Sequence, residues 1–581
     1  MLLKTQLKLH VIFSCLLCIM QGSLYAQSSD SKLNSLAPVT DAMLANPPAA
    51  DWLMWRRTYD AYGFSPLDQI NKSNVSDLQQ AYSVTLDPGA NMATPLVHDG
   101  VMFLLSTRDT VLALDATTGE QLWSYRHENN APPATKIGLA LYNDMVLVPT
   151  SDLHIVALSA KTGAVVWDHA IDAQSTGPLP YSLRSSPLIA NGQVIQGVTA
   201  TLVPEGGFII AVDLATGKES WRFHTIARPE SQAGNSWNEL ELDQRSGGSV
   251  WVPGSYDPEL DLVYFGSGPT YDTKPLLPEL NKTGVTNDAL YTNTTVALRP
   301  ATGELVWHYQ HMANDQWDLD WAYERQIIGL QVAGVMRKVV LTAGKMALFD
   351  AVDAATGAYV FSFDMGIQNI VAAIDPVTGY KTLNPNAVPS SETAQLVCPF
   401  ALGGRNWQST SYNPVTKSLF VPLSEVCMMG GPTGGNSILT SGAPMNPVPR
   451  PNDDGFYGRT QAVNLETQAL TWNHKETMPA TSGSLATAGG LVFNGTLDNQ
   501  LMALDDTSGE VLWQVDTGDT PASFPISYAV NGKQYVALVV GQAAIHAGTY
   551  MAIIGAFTGG AQSPLAQLPH TGPALVVYAL P

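Results

Sequence analysis

The sequence predicts an all-β protein, an eight-bladed β-propeller with tryptophan-docking-type repeats. The first observation is a motif that reads strand, turn and strand and ends on an aromatic residue. Residues 111–123 carry it, and it returns at 155–167, 209–221, 295–307, 348–361 and 501–513, with a degraded copy lacking the glycine at 461–472. The second is composition: 49 Gly, 38 Pro and only 14% charged residues among 581 indicate a chain dense in turns and strands.

The repeat also predicts how the chain is organised. Further strand-like runs lie between the copies, so each unit holds four strands in roughly 40–55 residues, as in propellers. Seven copies are visible, and residues 51–82 with the closing run 574–580 can form an eighth blade from both termini. Such closure removes exposed sheet edges. No linker is evident, so residues 27–581 are expected to form a single domain.

Two positions of each copy have an expected role. The glycine is expected to provide the positive φ that a tight hairpin turn requires. The closing aromatic residue, for example Trp123, is expected to pack between neighbouring blades. A functional role for these aromatic residues is the weaker interpretation.

The N-terminus predicts export. Lys4 and Lys8 precede an apolar run at 9–20, and a small residue, Ala26, stands before Gln27. This pattern is typical of a secretory signal peptide, residues 1–26. The apolar run is too short to cross a bilayer, so no membrane span is expected. We therefore predict a periplasmic or secreted protein.

Charge and cysteine content narrow the function further. The net charge is −21, and no Lys/Arg run occurs outside the extreme N-terminus, which argues against nucleic acid as a partner. After removal of the signal peptide, Cys398 and Cys427 remain, an even pair in an oxidising compartment that predicts a disulfide. No Cys-x-x-Cys-His motif for attached haem occurs.

The stretch 314–320, Asn-Asp-Gln-Trp-Asp-Leu-Asp, carries the candidate chemistry. Three carboxylates follow a strand-like run, and a carboxylate at a strand end can point into a cleft, where desolvation makes it a useful base. Taken alone, Asp-rich turns more often only terminate strands. The surrounding repeat favours the functional interpretation.

Together, the repeat and the stretch 314–320 make the chain resemble the pyrroloquinoline quinone (PQQ)-dependent alcohol dehydrogenases, the family of methanol and ethanol dehydrogenases. The resemblance runs from residues 51–71 through the repeats to the C-terminus, and implies PQQ in a central channel. It makes Asp318 the catalytic base and places Lys345 against the quinone oxygens. It places Trp251 as a stacking floor under PQQ and Asn406 beside it. The spacing of Cys398 and Cys427 also matches a disulfide of the methanol enzyme.

The family's metal site is the main departure. Its Ca²⁺ is held by Glu, Asn and Asp; Asp318 remains, but the Glu and Asn positions hold Leu202 and Pro269. Glu205 reaches the Glu position only through a shift of three residues. The resemblance therefore leaves Ca²⁺ binding open, with Asp318 and Glu205 as the candidate ligands.

Other departures concern the cofactor. Ile137 stands where an Arg is usual, with Lys136 beside it, and Met92 replaces a Glu. Arg184 occupies a position where a small hydroxyl residue is common, so Arg184 is a candidate cofactor-binding residue that could take over part of the metal's work. The adjacent-cysteine disulfide of the alcohol enzymes is absent from 129–137.

The resemblance implies a periplasmic quinoprotein dehydrogenase that oxidises an alcohol, larger than methanol, to an aldehyde or ketone. Electrons would pass to an external acceptor, by default a soluble cytochrome c. Two alternatives stay open at this point: a propeller that has lost PQQ and acts as a binding or scaffold module, and a related quinoprotein acting on a sugar, polyol or complex natural-product alcohol.

Overall fold

A computed structural model describes residues 32–175, 179–432, 440, 442–541 and 545–581. The predicted signal peptide, residues 1–26, lies outside the described residues. Within them, the chain is built from a succession of antiparallel four-stranded meanders, so the all-β prediction is confirmed.

The first four meanders follow one another along the chain. Sheet 1 contains Leu96–His98, Val101–Ser106, Thr110–Asp115 and Gln121–Arg126. Sheet 2 contains Ala140–Tyr142, Met145–Pro149, His154–Ser159 and Val165–Ala170. Sheet 3 contains Leu188–Ala190, Gln193–Val198, Phe208–Asp213 and Glu219–His224. Sheet 4 contains Ser255–Asp257, Leu262–Gly266, Thr294–Leu298 and Leu305–Gln310.

The next four continue the series. Sheet 5 contains Gln326–Val332, Val335–Ala343, Leu348–Asp353 and Tyr359–Asp364. Sheet 6 contains Ser411–Asn413, Ser418–Ser424, Gly458–Asn464 and Ala469–Glu476. Sheet 7 contains Leu485–Thr487, Leu491–Gly495, Gln500–Asp505 and Val511–Asp516, with Phe64–Ser65 added in parallel. Sheet 8 contains Ile526–Val530, Lys533–Val540, Ala574–Ala579 and the N-terminal strand Gln79–Thr85.

Smaller elements lie between these sheets. A two-stranded sheet pairs Val371–Ile374 with Lys381–Leu383, and a three-stranded sheet contains Gln395–Val397, Val426–Gly430 and Met445–Pro449. The α-helices whose full length is described are Asp41–Ala45 and the C-terminal helix, Ile545–Phe557. Short 3₁₀ helices cover Val75–Asp77, Gly234–Trp237, Leu242–Gln244, Lys274–Leu276, Gly560–Gln562 and Pro564–Gln567. None of the described helices is long and apolar enough to cross a membrane.

The closing tryptophan of a sheet docks onto the turn of the next sheet. Its indole Nε1 donates to a backbone carbonyl there, at 2.8–3.1 Å: Trp123 to Ala160, Trp167 to Leu214, Trp221 to Pro300, Trp307 to Ala354 and Trp472 to Asp506. In each case the glycine three residues after that carbonyl lies under the ring. The predicted packing role of the aromatic residue is confirmed.

The N-terminal strand of sheet 8 takes part in the same kind of docking contact with sheets 7 and 1. Trp513 of sheet 7 donates to the carbonyl of Leu78, next to the N-terminal strand of sheet 8. Tyr82 of that strand then takes the tryptophan's place, and its hydroxyl donates to Ala116 of sheet 1 at 2.9 Å. The ring of Tyr82 lies against Gly119, the turn glycine of sheet 1.

The fourth strand is the least buried strand of each meander. In sheet 1 the first two strands are buried along their whole length, whereas Gln121–Arg126 alternates between exposed and partly buried residues. The fourth strands, which carry the closing aromatic residue, therefore lie towards the outside of the fold.

The predicted disulfide is present: Cys398 and Cys427 are bonded across 29 residues of sequence. It joins the residue after Gln395–Val397 to the strand Val426–Gly430, within the three-stranded sheet. The bond therefore fixes an insertion rather than one of the repeated sheets.

Candidate active site

A cavity of about 280 Å³ brings together five of the six residues predicted for the cofactor, the base or the metal. They are Arg184, Trp251, Asp318, Lys345 and Asn406. The volume is near the lower end of the roughly 300–1,000 Å³ typical of ligand sites. A larger depression, about 540 Å³, lies around residues 279–288, away from all of these side chains.

The position of the cavity follows from the meander. Arg184 and Trp251 lie just before the first strands of sheets 3 and 4, and Asp318 lies before that of sheet 5. Lys345 follows the second strand of sheet 5. The start of the first strand and the end of the second meet at one end of an antiparallel sheet. Residues far apart in sequence therefore converge at one end of the fold.

Asp315 shapes the carboxylate loop, residues 314–320. Its buried carboxylate accepts the backbone N–H of Trp317 at 2.8 Å and of Leu319 at 2.7 Å, and the side-chain amide of Asn293 at 3.1 Å. Asp318, between these two N–H donors, takes a left-handed backbone conformation with φ 60°. A non-glycine residue held in this region by its surroundings is a feature that clusters at functional sites.

Lys345 links the two carboxylates of the loop that line the cavity. Its Nζ lies 3.2 Å from Asp318 Oδ2 and 3.4 Å from Asp320 Oδ2, and it donates to the backbone carbonyl of Asp318 at 2.7 Å. Burial alone would lower the pKa of Lys345, but the charges of Asp318 and Asp320 outweigh it and raise that pKa. Lys345 therefore stays positively charged.

Asp318 has the properties of a base. Burial raises its pKa well above the ordinary value, Lys345 opposes this effect, and the charge of Asp320 adds to it. Its Oδ1 is buried and has no hydrogen-bond partner among the described residues. A carboxyl oxygen without a donor, in a cavity, can accept a substrate proton, and a raised pKa makes the carboxylate a stronger base.

Arg184 places a second positive charge in the cavity. No carboxylate of the described chain lies within ion-pair distance of its guanidinium, and its buried Nε has no hydrogen-bond partner there. Burial lowers the pKa of Arg184, but the guanidinium keeps its positive charge. Its backbone carbonyl accepts the N–H of Ile137, which also lines the cavity. Lys136, in contrast, is paired with Asp109 at 2.9 Å and does not line it.

Asn406 and Trp251 line the cavity in different ways. The Asn406 amide is used locally, donating to Leu402 at 2.7 Å and accepting from the N–H of Trp407 at 2.7 Å. Trp251 is only partly buried, and its ring meets Tyr323 edge-on with centroids 5.4 Å apart. This contact leaves the indole as a wall of the cavity.

Glu205 is not brought to the cavity. Its side chain is 57% exposed, and its carboxylate lies 3.9 Å from the guanidinium of Arg228. Leu202 and Pro269 are not among the cavity-lining residues either. The structure therefore gives Glu205 a surface position and provides no carboxylate at the two altered positions.

Three titratable residues of the cavity have no individual role in the prediction from sequence: Asp320, Tyr271 and His546. Asp320 contributes a second carboxylate. His546 comes from the C-terminal helix; its Nδ1 lies 3.0 Å from Gln408 Nε2, and burial lowers its pKa to about 3, so it is neutral. No motif marks His546, because its role depends on where the helix packs.

The chain that forms this cavity matches a known enzyme family over most of its length. Residues 52–367 and 438–536 match the family described as PQQ: glucose/ethanol/alcohol dehydrogenase, β-propeller domain. The chain belongs to the PQQ-dependent alcohol dehydrogenase family. The predicted family, enzyme class and propeller fold are thereby confirmed.

Individual proteins of known name are similar to the chain and are alcohol dehydrogenases. The chain is 33% identical over 517 residues to quinohemoprotein alcohol dehydrogenase ADH IIB of Pseudomonas putida, covering 84% of this chain and 73% of that one. It is 30% identical over 515 residues to quinoprotein alcohol dehydrogenase PedH of Pseudomonas putida, covering 82% and 84%. A europium-containing methanol dehydrogenase has a similar structure, with TM-score 0.81, 26% identity and coverage of 93% and 99%.

The cavity of this PQQ-family member fits its cofactor. PQQ is a flat tricyclic quinone with three carboxylates, and the cavity offers an indole wall, Trp251, for a flat ring. Among the described residues, the guanidinium of Arg184 has no carboxylate partner and Asp318 Oδ1 has no hydrogen-bond partner. The fit to Ca²⁺ is poorer, since Leu202 and Pro269 carry no side-chain oxygen.

Proposed function

We propose that this protein oxidises an alcohol to an aldehyde or ketone with PQQ bound in the 280 Å³ cavity. The observation that carries the proposal is the arrangement of Asp318, Asp320 and Lys345, in which a buried base keeps one oxygen free. Family membership supports the same reaction class, and a propeller that has lost PQQ is not favoured.

Each residue has a defined task. PQQ, when bound, supplies the two-electron oxidant. Asp318 takes the hydroxyl proton of the alcohol on its free Oδ1. Lys345 holds Asp318 in place by contacting Oδ2 and the backbone carbonyl of Asp318. The positive charge of Lys345 stabilises negative charge that develops beside it.

Arg184 would hold a carboxylate of PQQ. A guanidinium forms strong, often bidentate hydrogen bonds with carboxylates. Its lack of a protein carboxylate partner within the described residues supports this task. Trp251 and Asn406 complete the binding surface, one as a stacking face and one as a polar border.

The metal site is weak for Ca²⁺. The cavity carboxylates are Asp318 and Asp320, and Lys345 already neutralises part of their charge. Any hard cation would bind at this pair. A trivalent ion, such as the europium of the similar methanol dehydrogenase, would bind it more tightly than Ca²⁺, because attraction scales with charge.

The wider setting stays part of the proposal. We infer a single domain, residues 27–581, in which sheets 1 to 8 are eight blades and the N-terminal strand completes the last. The Trp513–Leu78 and Tyr82–Ala116 hydrogen bonds support this closure. The protein is exported to the periplasm or beyond, acts on an alcohol larger than methanol, and passes electrons to a soluble cytochrome c.

The test is reconstitution of the mature protein with PQQ and measurement of alcohol-dependent dye reduction. Asp318→Asn should retain PQQ, detected by its absorption after gel filtration, but lose roughly two to four orders of magnitude in turnover. Asp243→Asn, at an exposed carboxylate, is the control and should behave as wild type. Near-normal turnover in Asp318→Asn would contradict the assigned base, and failure of the wild type to retain PQQ would contradict the function.

A further inference from the structure

A cluster of two histidines and one aspartate lies outside the cavity, where sheets 1 and 2 meet. His127 follows the last strand of sheet 1, and Asp152 and His154 stand at the start of the third strand of sheet 2. His127 Nε2 lies 3.0 Å from Asp152 Oδ2, and His154 Nε2 lies 3.9 Å from the same oxygen. The three ligand atoms all lie within 4.8 Å of one another.

The second polar atom of each of these three side chains has a polar partner of its own. His154 Nδ1 lies 2.7 Å from Asp168 Oδ1, and His127 Nδ1 lies 3.3 Å from the hydroxyl of Tyr125. Thr150 donates to Asp152 Oδ1 at 2.6 Å. Metal-binding histidines in proteins are oriented in this way, by a carboxylate or other polar group on the second ring nitrogen.

A simple ion pair does not account for the arrangement. Asp152 Oδ2 can accept a hydrogen bond from His127, but 3.9 Å is too long for one from His154. The second histidine is nevertheless fixed by Asp168 with its Nε2 turned towards the same oxygen. A metal ion between the two rings would use both Nε2 atoms and the Asp152 oxygen that they face.

We propose that His127, Asp152 and His154 bind a first-row divalent transition-metal ion, such as Zn²⁺. Two imidazole nitrogens and one carboxylate oxygen are the donors of three-ligand zinc sites, in which the fourth position stays open to water. The side chains are 11%, 27% and 28% exposed, in the order His127, Asp152, His154, so an ion can reach them from solvent.

The ion would join two neighbouring sheets. His127 precedes the segment 128–137, whose Thr135 and Ile137 line the cofactor cavity. Along this segment, Ala134 donates its N–H to Ser151, the residue before Asp152. A metal at the cluster would therefore tie the start of this segment to sheet 2 and add to the stability of the protein.

The experiment uses the full mature protein, freed of metal with EDTA and dialysed. Isothermal titration with ZnCl₂ should show one site, with affinity at least tenfold weaker in His127→Gln, Asp152→Asn and His154→Gln. His169→Gln is the matched control: this histidine is on the same sheet, next to Asp168 along the strand and opposite Ile155. It should bind Zn²⁺ as wild type does.

Thermal unfolding provides a second readout on the same proteins. Zn²⁺ should raise the Tm of the wild type and of His169→Gln by the same amount, and that of His154→Gln by clearly less at the same Zn²⁺ concentration. Absence of zinc binding by the wild type would overturn the proposal. So would binding that the three ligand variants leave intact, or that His169→Gln weakens equally.

Discussion

Asp315, Asp318 and Asp320 lie within six residues of one another, yet their carboxylates fall into two environments. Asp315 is used by the loop itself, accepting two backbone N–H groups and one amide. Asp318 and Asp320 share Lys345, and the Oδ1 of each has no hydrogen-bond partner among the described residues. The donors therefore separate Asp315, which serves the loop, from the two carboxylates that face the cavity.

Metal dependence can be tested at Asp320. Ca²⁺ titrated into PQQ-loaded protein should bind with a Kd on the order of 10⁻⁴–10⁻³ M or weaker, because few anionic ligands are available. Asp320→Asn should weaken the binding of Ca²⁺ and Eu³⁺ further, and Glu205→Gln should leave both unchanged, since Glu205 is on the surface. Equilibrium dialysis measures this. Stoichiometric micromolar Ca²⁺ binding lost in Glu205→Gln would show that the loop is arranged differently.

Glu476, a buried carboxylate outside the cavity, predicts a pH dependence of stability. Burial raises the pKa of Glu476 from 4.5 to about 8, although Thr460 donates to its Oε1 at 2.7 Å. Between these pH values the folded state keeps a proton that the unfolded chain releases. Stability should therefore fall as pH rises through this window, on the order of 1 kcal/mol per pH unit.

Glu476→Gln should remove that slope and be more stable than wild type near pH 8. Urea unfolding at several pH values measures it, with the exposed Glu510→Gln as control. Parallel pH profiles for Glu476→Gln and wild type would count against a neutral Glu476.

At the scale of the element, one contact explains two positions of the repeat. The tryptophan of one sheet donates to a carbonyl of the next, and the turn glycine there lies beneath the indole. At Gly303, with φ 71°, an added Cβ would stand 2.5 Å from the ring of Trp221. The glycine is thus required both by the backbone conformation and by the close approach of the ring.

Gly303→Ala should destabilise the protein by about 2–4 kcal/mol, combining the left-handed backbone cost with overpacking. Gly334→Ala separates the two effects, because Gly334 has φ 80° but open space around it. We expect it to lose only about 1–2 kcal/mol. Chemical unfolding of both variants gives the comparison. Equal losses would mean that the ring of Trp221 moves away without cost.

At the scale of the whole molecule, the site belongs to no single sheet. Its walls come from the entry and exit segments of several meanders, and the C-terminal helix adds His546. Tyr550 of the same helix donates to the carbonyl of Gly403 at 2.8 Å, near Asn406. The cavity therefore forms only when the sheets and the C-terminal helix have assembled.

The disulfide should contribute to the stability of the assembled molecule. Closing a loop with a sequence separation of 29 constrains the unfolded chain by roughly 3–4 kcal/mol. Cys398→Ser/Cys427→Ser should lower the free energy of unfolding by this order, measured by denaturant titration. Alkylation and intact mass of the exported wild type provide the check, and two free thiols there would contradict the bond.

The repeat and its consequences were predictable from sequence alone, because hairpin turns and docking aromatic residues obey rules that operate within about a dozen residues. The motif matches likewise picked out Trp251, Asp318, Lys345 and Asn406, and a departure from the family pattern picked out Arg184. Tertiary structure decided what these rules do not reach. Asp320 enters the cavity and Asp315 does not, because backbone N–H groups hold the loop in one conformation. Glu205 turns to solvent, and His546 and the His127–Asp152–His154 cluster form from segments that meet only in the folded chain. The direction of a side chain depends on partners distant in sequence, and only the packed molecule brings those partners together.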